Sequence, residues 1–127
     1  MKKILITISI ISILLLAGCS NKEKGVSKMI SAEEAKKIID TEEVIIVDVR
    51  NFYEYEQSHI KGAINIPLSM IEENNPDMPD KKETILVYCQ SGNRSKQAAN
   101  KLKELGYQHI YDFGGIQNWT YEIETSI

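Results

Sequence analysis

A cysteine, a glycine and an arginine lie close together in the stretch LVYCQSGNRS, residues 86–95. The apolar run before Cys89 predicts a buried strand, and Ser95 marks the start of a helix. A short turn between a strand and a helix directs backbone N–H groups inward, and the helix N-terminus adds a partial positive charge. Both effects favour a thiolate at Cys89, with a pKa below the free value of about 8.5. The stretch therefore predicts a thiol that is nucleophilic at neutral pH.

Two further residues of this turn support an anion-binding role. Gly92 can adopt backbone angles that other residues avoid. Arg94 lies where a cation opposes the helix dipole, so its position requires a counter-charge such as a thiolate, a persulfide or an anionic substrate. Taken alone, Arg94 is equally well explained as a solvent-facing side chain. The presence of Cys89 and Gly92 in the same turn favours the functional interpretation.

The residues that bind metals in other proteins do not form a recognisable site with Cys89. His59 and His109 are the two histidines of the chain, and neither lies at zinc-site spacing from the cysteine. We therefore expect no metal and no cofactor. We expect His59 to be a hydrogen-bonded structural residue and Trp119 a core aromatic residue.

The first residues of the chain have the pattern of a secretory signal. Two lysines precede an apolar run from Ile4 to Ala17, which is followed by Gly18 and Cys19. This run is shorter than the roughly 20 residues of a transmembrane helix. The ending LAGC, residues 16–19, resembles the bacterial lipobox, which implies that Cys19 carries diacylglycerol and becomes the mature N-terminus. An uncleaved anchor and an ordinary signal cleaved nearby are the alternatives.

The chain divides into three segments on this basis. Residues 1–18 are predicted to be a lipoprotein signal peptide, residues 19–28 a lipidated N-terminus with a flexible polar linker, and residues 29–127 one domain. The expected location is extracytoplasmic, with the lipid held in a bacterial membrane. If Cys19 is lipidated, Cys89 has no intrachain partner, which indicates a reactive thiol.

The charge of the mature chain argues against one class of partner. Removing residues 1–18 takes away two lysines and leaves 13 basic and 18 acidic residues, a formal charge of −5. An acidic domain without a basic stripe is not expected to bind nucleic acid.

Helices and strands alternate along the predicted domain. Ser31 and Glu34 have capping-box spacing, and the apolar residues after them repeat as in a helix. Residues 44–49 and 84–88 are predicted strands that are covered on both faces, because they are apolar without alternation. Residues 95–105 form a second helix with Gly106 at its C-cap. The shorter predicted elements are a helical turn within 51–57, strands at 63–66 and 110–111, a polar loop at 74–82, and a final helix that contains Trp119. This alternation predicts an α/β fold, in which ligands bind beyond the carboxyl ends of the strands.

Four segments resemble the rhodanese-like sulfurtransferase domain family, over nearly all of residues 28–127. They are VDVR at 47–50, HIKGAINIP at 59–67, CQSGNRS at 89–95, and Gly114-Gly115 with Trp119. The resemblance implies a single rhodanese-like domain with a central, mainly parallel five-stranded sheet and helices on both faces. It also implies that Cys89 takes a sulfane sulfur from thiosulfate or a persulfide. The resulting Cys89 persulfide would pass that sulfur to cyanide or to another thiol, including a protein thiol.

The resemblance also implies roles for the residues around the cysteine. The backbone N–H groups of the loop would stabilise the persulfide and orient the donor; the loop residues are Gln90, Ser91, Gly92, Asn93, Arg94 and Ser95. Asp48 and Arg50 would lie under or beside this loop. Because a carboxylate at the end of an apolar strand is not left unpaired, we expect Asp48 to accept backbone N–H groups or to pair with an arginine.

Two alternative functions remain open at this point. Relatives with this fold carry out phosphatase or arsenate reductase chemistry from a loop one residue longer. Four residues separate Cys89 from Arg94 here, and the shorter loop favours sulfur over a tetrahedral phosphate. The other alternative is a persulfide carrier or redox-responsive binding module that turns over no free donor.

Overall fold

The computed structural model describes residues 23–127. The predicted signal peptide, Cys19 and the first part of the predicted linker lie outside the described residues. Helices and strands follow in the order β1 (Val26–Met29), α1 (Ala32–Thr41), β2 (Ile45–Asp48), α2 (Phe52–Gln57), β3 (His59–Ile60), β4 (Ile64–Asn65), β5 (Thr84–Cys89), α3 (Asn93–Glu104), β6 (His109–Gly115) and β7 (Ile123–Glu124). Single 3₁₀ turns lie at Leu68–Met70 and Ile116–Asn118.

Five strands form one parallel sheet in the order β1-β6-β5-β2-β4. The central strand β5 is buried on both faces from Ile85 to Tyr88, which explains why its sequence is apolar without alternation. Strands β3 and β7 form a separate antiparallel pair. The predicted α/β class and the five-stranded parallel sheet are confirmed.

Helices cover both faces of the sheet, as predicted. Helix α1 packs on one face, where Ala35 is fully buried in a cluster with Leu86 and Phe113. Helix α3 packs on the other, with Ala98 and Leu102 buried in the second cluster. The capping box of α1 is present: Glu34 N donates to Ser31 Oγ at 3.1 Å, and Ser31 N donates to Glu34 Oε2 at 2.9 Å.

The predicted linker ends earlier than expected, because Val26–Met29 form strand β1. This strand pairs in parallel with β6, and Gly25 N donates to the carbonyl of Lys103 at 3.0 Å. The sequence VSKM is partly polar because β1 is an edge strand, and Val26 is 68% exposed. Tertiary pairing, which no local pattern reveals, brings these residues into the domain.

The predicted final helix is wrong. Ile116–Asn118 form only one 3₁₀ turn, and Trp119 follows it in extended conformation. Trp119 packs against Phe113 with ring centroids 5.5 Å apart, so its role as a partly buried core aromatic holds. Helix α3 begins two residues before the predicted start, at Asn93. No helix within residues 23–127 is long and apolar enough to cross a membrane.

Candidate active site

Cys89 is the last residue of β5 and lies at the carboxyl end of the sheet. We call residues 89–95, from Cys89 to the first turn of α3, the Cys89 loop. Gly92 ends the turn with a φ of +107°, in the left-handed region that favours glycine, and serves as the N-cap of α3. Its N–H donates to the Sγ of Cys89 at 3.0 Å. The cysteine is 1% exposed, so its sulfur is almost completely covered.

The surroundings of the sulfur favour its ionised form. Burial raises the pKa of the Cys89 thiol, but the nearby hydroxyl and N–H of Ser95 and the N–H groups of Gly92 and Ser91 lower it by a larger amount. The net result is a pKa below the ordinary value for a cysteine. A thiolate held by backbone N–H groups is the arrangement that the sequence predicted.

Two contacts fix the shape of the loop from below. Ser95 is fully buried, and its hydroxyl lies 3.0 Å from the Gly92 carbonyl and 3.4 Å from the Gly114 carbonyl. Gly115 pairs with Cys89 across a bulge in the β5–β6 ladder. A Cβ at position 115 would lie 2.1 Å from the carbonyl oxygen of Gln90, so only glycine fits there. The contacts with Gly114 and Gly115 were not predicted from the sequence, because they join residues that are about 20 positions or more apart along the chain.

Asp48 anchors a buried network beneath the loop. Its Oδ1 accepts the N–H of Arg50 at 2.9 Å, and its Oδ2 accepts Nη2 of Arg50 and the hydroxyl of Tyr88, each at 2.7 Å. The Tyr88 hydroxyl also accepts Ile60 N at 3.0 Å. Burial and the Asp48 charge raise the pKa of Tyr88, so the phenol stays protonated. Asp48 thus accepts a backbone N–H and pairs with an arginine, and both groups are buried.

Arg50 links this network to the Cys89 loop. Its Nη2 donates to the Ser58 carbonyl at 2.6 Å, and its Nη1 donates to the side-chain oxygen of Gln90 at 3.4 Å. The guanidinium is therefore held by Asp48 and the Ser58 carbonyl, and Gln90 is the loop residue that it supports. The side chains of Gln90, Ser91 and Asn93 are otherwise exposed at the mouth of the loop.

Arg94 does not have the counter-charge that the sequence led us to expect. Its guanidinium forms a two-pronged ion pair with Glu54, through Nη1 to Oε2 at 2.8 Å and Nη2 to Oε1 at 3.0 Å. The hydrogen bond to Arg94 holds the pKa of Glu54 below its usual range, and the same bond raises the pKa of Arg94. The structure thus provides a protein carboxylate where a thiolate, persulfide or substrate was expected.

Glu54 is a residue of the site that sequence reasoning missed. It is the third residue of α2 and completes a second capping box: Asn51 N donates to its Oε2 at 3.0 Å, and Glu54 N donates to Asn51 Oδ1 at 2.9 Å. The Asn-x-x-Glu spacing after Arg50 could have predicted the cap. It could not have predicted the ion pair, whose partners are 40 residues apart.

The histidine His59 forms no second reactive site within residues 23–127. His59 stacks on Tyr55 at 3.8 Å between ring centroids, and its Nδ1 lies 2.8 Å from the Tyr55 carbonyl. This is the structural role that was predicted for His59. No group of three or more potential metal ligands occurs in this part of the chain.

The family follows from the sequence comparison. A family model described as the rhodanese-like domain matches residues 31–122, and the chain belongs to that family. Thiosulfate sulfurtransferase PspE of Escherichia coli is 44% identical over 73 residues, which are 57% of this chain and 70% of PspE. Thiosulfate sulfurtransferase GlpE of Coxiella burnetii is 33% identical over 100 residues, which are 78% of this chain and 92% of GlpE.

A solved structure described as rhodanese with anions from E. coli has the same fold. It is 38% identical and superposes with a TM-score of 0.60, over 65% of this chain and 99% of the other. The fold, the family model and the named relatives therefore place this chain in the rhodanese-type sulfurtransferase family.

Proposed function

We propose that this protein transfers a sulfane sulfur through a persulfide on Cys89. The observation that carries the proposal is the hydrogen bond from the Gly92 N–H to the Sγ of Cys89 at 3.0 Å, in a loop that leads into helix α3. A terminal persulfide sulfur is anionic, so the amides and helix N-terminus that stabilise a thiolate also stabilise the intermediate. No separate general base is required, because the pKa of Cys89 is already lowered.

The proposed reaction has two balanced steps. The Cys89 thiolate attacks the outer sulfur of thiosulfate; a sulfur–sulfur bond forms to Cys89, and the donor bond breaks with its electron pair leaving on sulfite. For an organic persulfide the leaving group is the donor thiolate. In the second step cyanide or a thiolate attacks the terminal sulfur of the Cys89 persulfide. Thiocyanate or a new persulfide forms, and the Cys89 thiolate leaves with the electron pair.

The test measures two activities on the same preparation. Protein is incubated with thiosulfate and cyanide, and with para-nitrophenyl phosphate in parallel. We expect thiocyanate from wild type and none from Cys89→Ser, with no phosphate release. Phosphate release that depends on Cys89 would instead favour a phosphatase. Absence of turnover would favour a carrier, provided that the cysteine still accepts sulfur.

Mass spectrometry separates the enzyme from the carrier. After exposure to a donor, we expect the peptide that contains Cys89 to gain the mass of one sulfur, and subsequent addition of cyanide to remove it. A carrier would gain sulfur from an organic persulfide but not from thiosulfate, and its persulfide would also lose the sulfur to cyanide, which attacks any accessible persulfide. No gain with any donor would contradict the proposal.

We also propose that the chain is anchored outside the cytoplasm by lipid on Cys19. The LAGC ending and the polar residues after it support this proposal. Metabolic labelling with a tagged palmitate tests it. We expect label on the wild-type protein and none on Cys19→Ala, and a labelled band in that variant would contradict lipidation at Cys19.

A further inference from the structure

The charges at the mouth of the Cys89 loop are balanced within the protein. The chain contains two arginines, and each forms an ion pair: Arg50 with Asp48 at 2.7 Å and Arg94 with Glu54 at 2.8 Å. The first pair is buried, whereas the Arg94 and Glu54 side chains are 34% and 29% exposed. Arg94 is the single basic residue between Cys89 and Ser95. Its charge is thus neutralised where a donor would approach.

The next cation along the chain is not directed to the loop. Lys96 is exposed on α3, whereas the adjacent Ser95 is the residue that faces the loop interior. An incoming donor therefore meets neutral amides, a neutral ion pair and the negative sulfur of Cys89. A dianionic donor in this setting finds no free cation to bind, and the thiolate repels it more strongly than it repels a donor with one negative charge.

We infer that Glu54 acts as a positioning residue that keeps Arg94 neutralised, so that the loop accepts sulfane donors with one negative charge more readily than dianionic donors. This inference rests on the proposed sulfur transfer. The favoured class comprises organic persulfides and thiosulfonates. Thiosulfate, with two negative charges, belongs to the disfavoured class.

Thiosulfate and methanethiosulfonate are two small donors that differ mainly in their net charge, which is −2 and −1. In methanethiosulfonate, a methyl group replaces one charged oxygen of thiosulfate. In both reactions the Cys89 thiolate attacks the outer sulfur, the donor sulfur–sulfur bond breaks, and the electron pair leaves on methanesulfinate or sulfite. In a two-step transfer, kcat/KM for the donor reports the first step, whichever acceptor is used. The ratio of the two kcat/KM values cancels any change in the thiolate fraction.

The variant Glu54→Gln isolates the charge, because glutamine also completes a capping box. It keeps an oxygen for Asn51 N but leaves the Arg94 charge uncompensated. Glu34→Gln is the matched control: it makes the same change in the capping box of α1, where Glu34 accepts Ser31 N. With full-length protein and cyanide as acceptor, we expect Glu54→Gln to shift the ratio toward thiosulfate by about threefold to fivefold, the range of partly exposed ion pairs. Glu34→Gln should leave the ratio unchanged.

Salt dependence tests the wild type without any substitution. Because the loop has no free cation, kcat/KM for thiosulfate should not fall as salt is raised from about 0.05 to 0.5 M, a range over which screening becomes strong. A clear fall, or a ratio in Glu54→Gln that matches Glu34→Gln, would overturn the inference. A loss of kcat/KM for thiosulfate in Lys96→Gln would also overturn the inference, since Lys96 would then be the cation that binds the donor. Wild type that makes thiocyanate from neither donor would refute the proposed function itself.

Discussion

Gly115 lies so close to Gln90 that a Cβ at position 115 would stand 2.1 Å from the Gln90 carbonyl oxygen. This contact sets the path of the chain directly after Cys89. Since the oxygen belongs to the backbone, Gly115→Ala must displace either the loop or the end of β6. We expect a stability loss of about 1–3 kcal/mol, as for overpacked sites, together with loss of sulfur transfer.

Gly62→Ala provides the control for that substitution. Gly62 has a φ of +83° but open space around its Cα, so alanine there costs about 1–3 kcal/mol of backbone strain without touching the loop. Chemical denaturation and thiocyanate formation should show similar stability losses for the two variants, but retained transfer only in Gly62→Ala. Full transfer in Gly115→Ala would contradict the role of this contact.

Removing the Tyr88 hydroxyl should destabilise the platform beneath the loop. Tyr88→Phe deletes a donor to the Asp48 carboxylate and leaves Ile60 N without its buried acceptor. We expect a loss of about 1–3 kcal/mol in the free energy of unfolding. Tyr107→Phe deletes a single hydrogen bond, to the Pro79 carbonyl at 2.6 Å, and should cost about 0.5–1.5 kcal/mol. Equal costs in urea denaturation would argue against the special role of the Asp48 network.

Arg94→Ala should affect donor use more than stability. The ion pair with Glu54 is partly exposed, so its loss should cost less than about 1 kcal/mol. The Glu54 carboxylate then remains uncompensated at the mouth of the loop and repels anionic donors, and we expect kcat/KM for thiosulfate to fall roughly tenfold. Lys36→Ala, which breaks the exposed pair with Asp40, is the control for charge loss away from the loop. Parallel losses of melting temperature and turnover in Arg94→Ala would mark Arg94 as structural.

The pH dependence of alkylation should report the lowered pKa of Cys89. The reactive thiolate forms as pH rises through the pKa, so the rate should fall at acid pH, with a midpoint below the ordinary value for a cysteine. Ser95→Ala removes a hydroxyl that lowers the pKa of Cys89 and should move that midpoint upward. Mass spectrometry of the Cys89 peptide gives the rate at this residue alone. A midpoint equal to that of the urea-unfolded chain would contradict a stabilised thiolate.

Local patterns in the sequence predicted the parts of the fold that local patterns determine. The capping box at Ser31, the apolar runs of β2 and β5, and the position of Cys89 at a strand end all depend on neighbouring residues. Strand β1 and the Glu54–Arg94 pair depend on residues far apart in the chain, so no local signal reveals them. The predicted final helix was wrong because the residues after Gly115 form only one 3₁₀ turn, Ile116–Asn118, and the chain then continues in extended conformation at Trp119.

The position of β1 in the sheet determines where a lipid tether at Cys19 would join the domain. Seven residue steps separate Cys19 from Val26, a reach of about 25 Å at full extension. In a parallel sheet all strands begin at the same end of the sheet, so β1 begins at the end opposite Cys89, the last residue of β5. The six residues of β5 separate these two ends by about 20 Å. If the proposed lipid anchor is present, the tether therefore joins the domain at the end of the sheet opposite the reactive sulfur and leaves that end free to meet soluble metabolites and protein thiols.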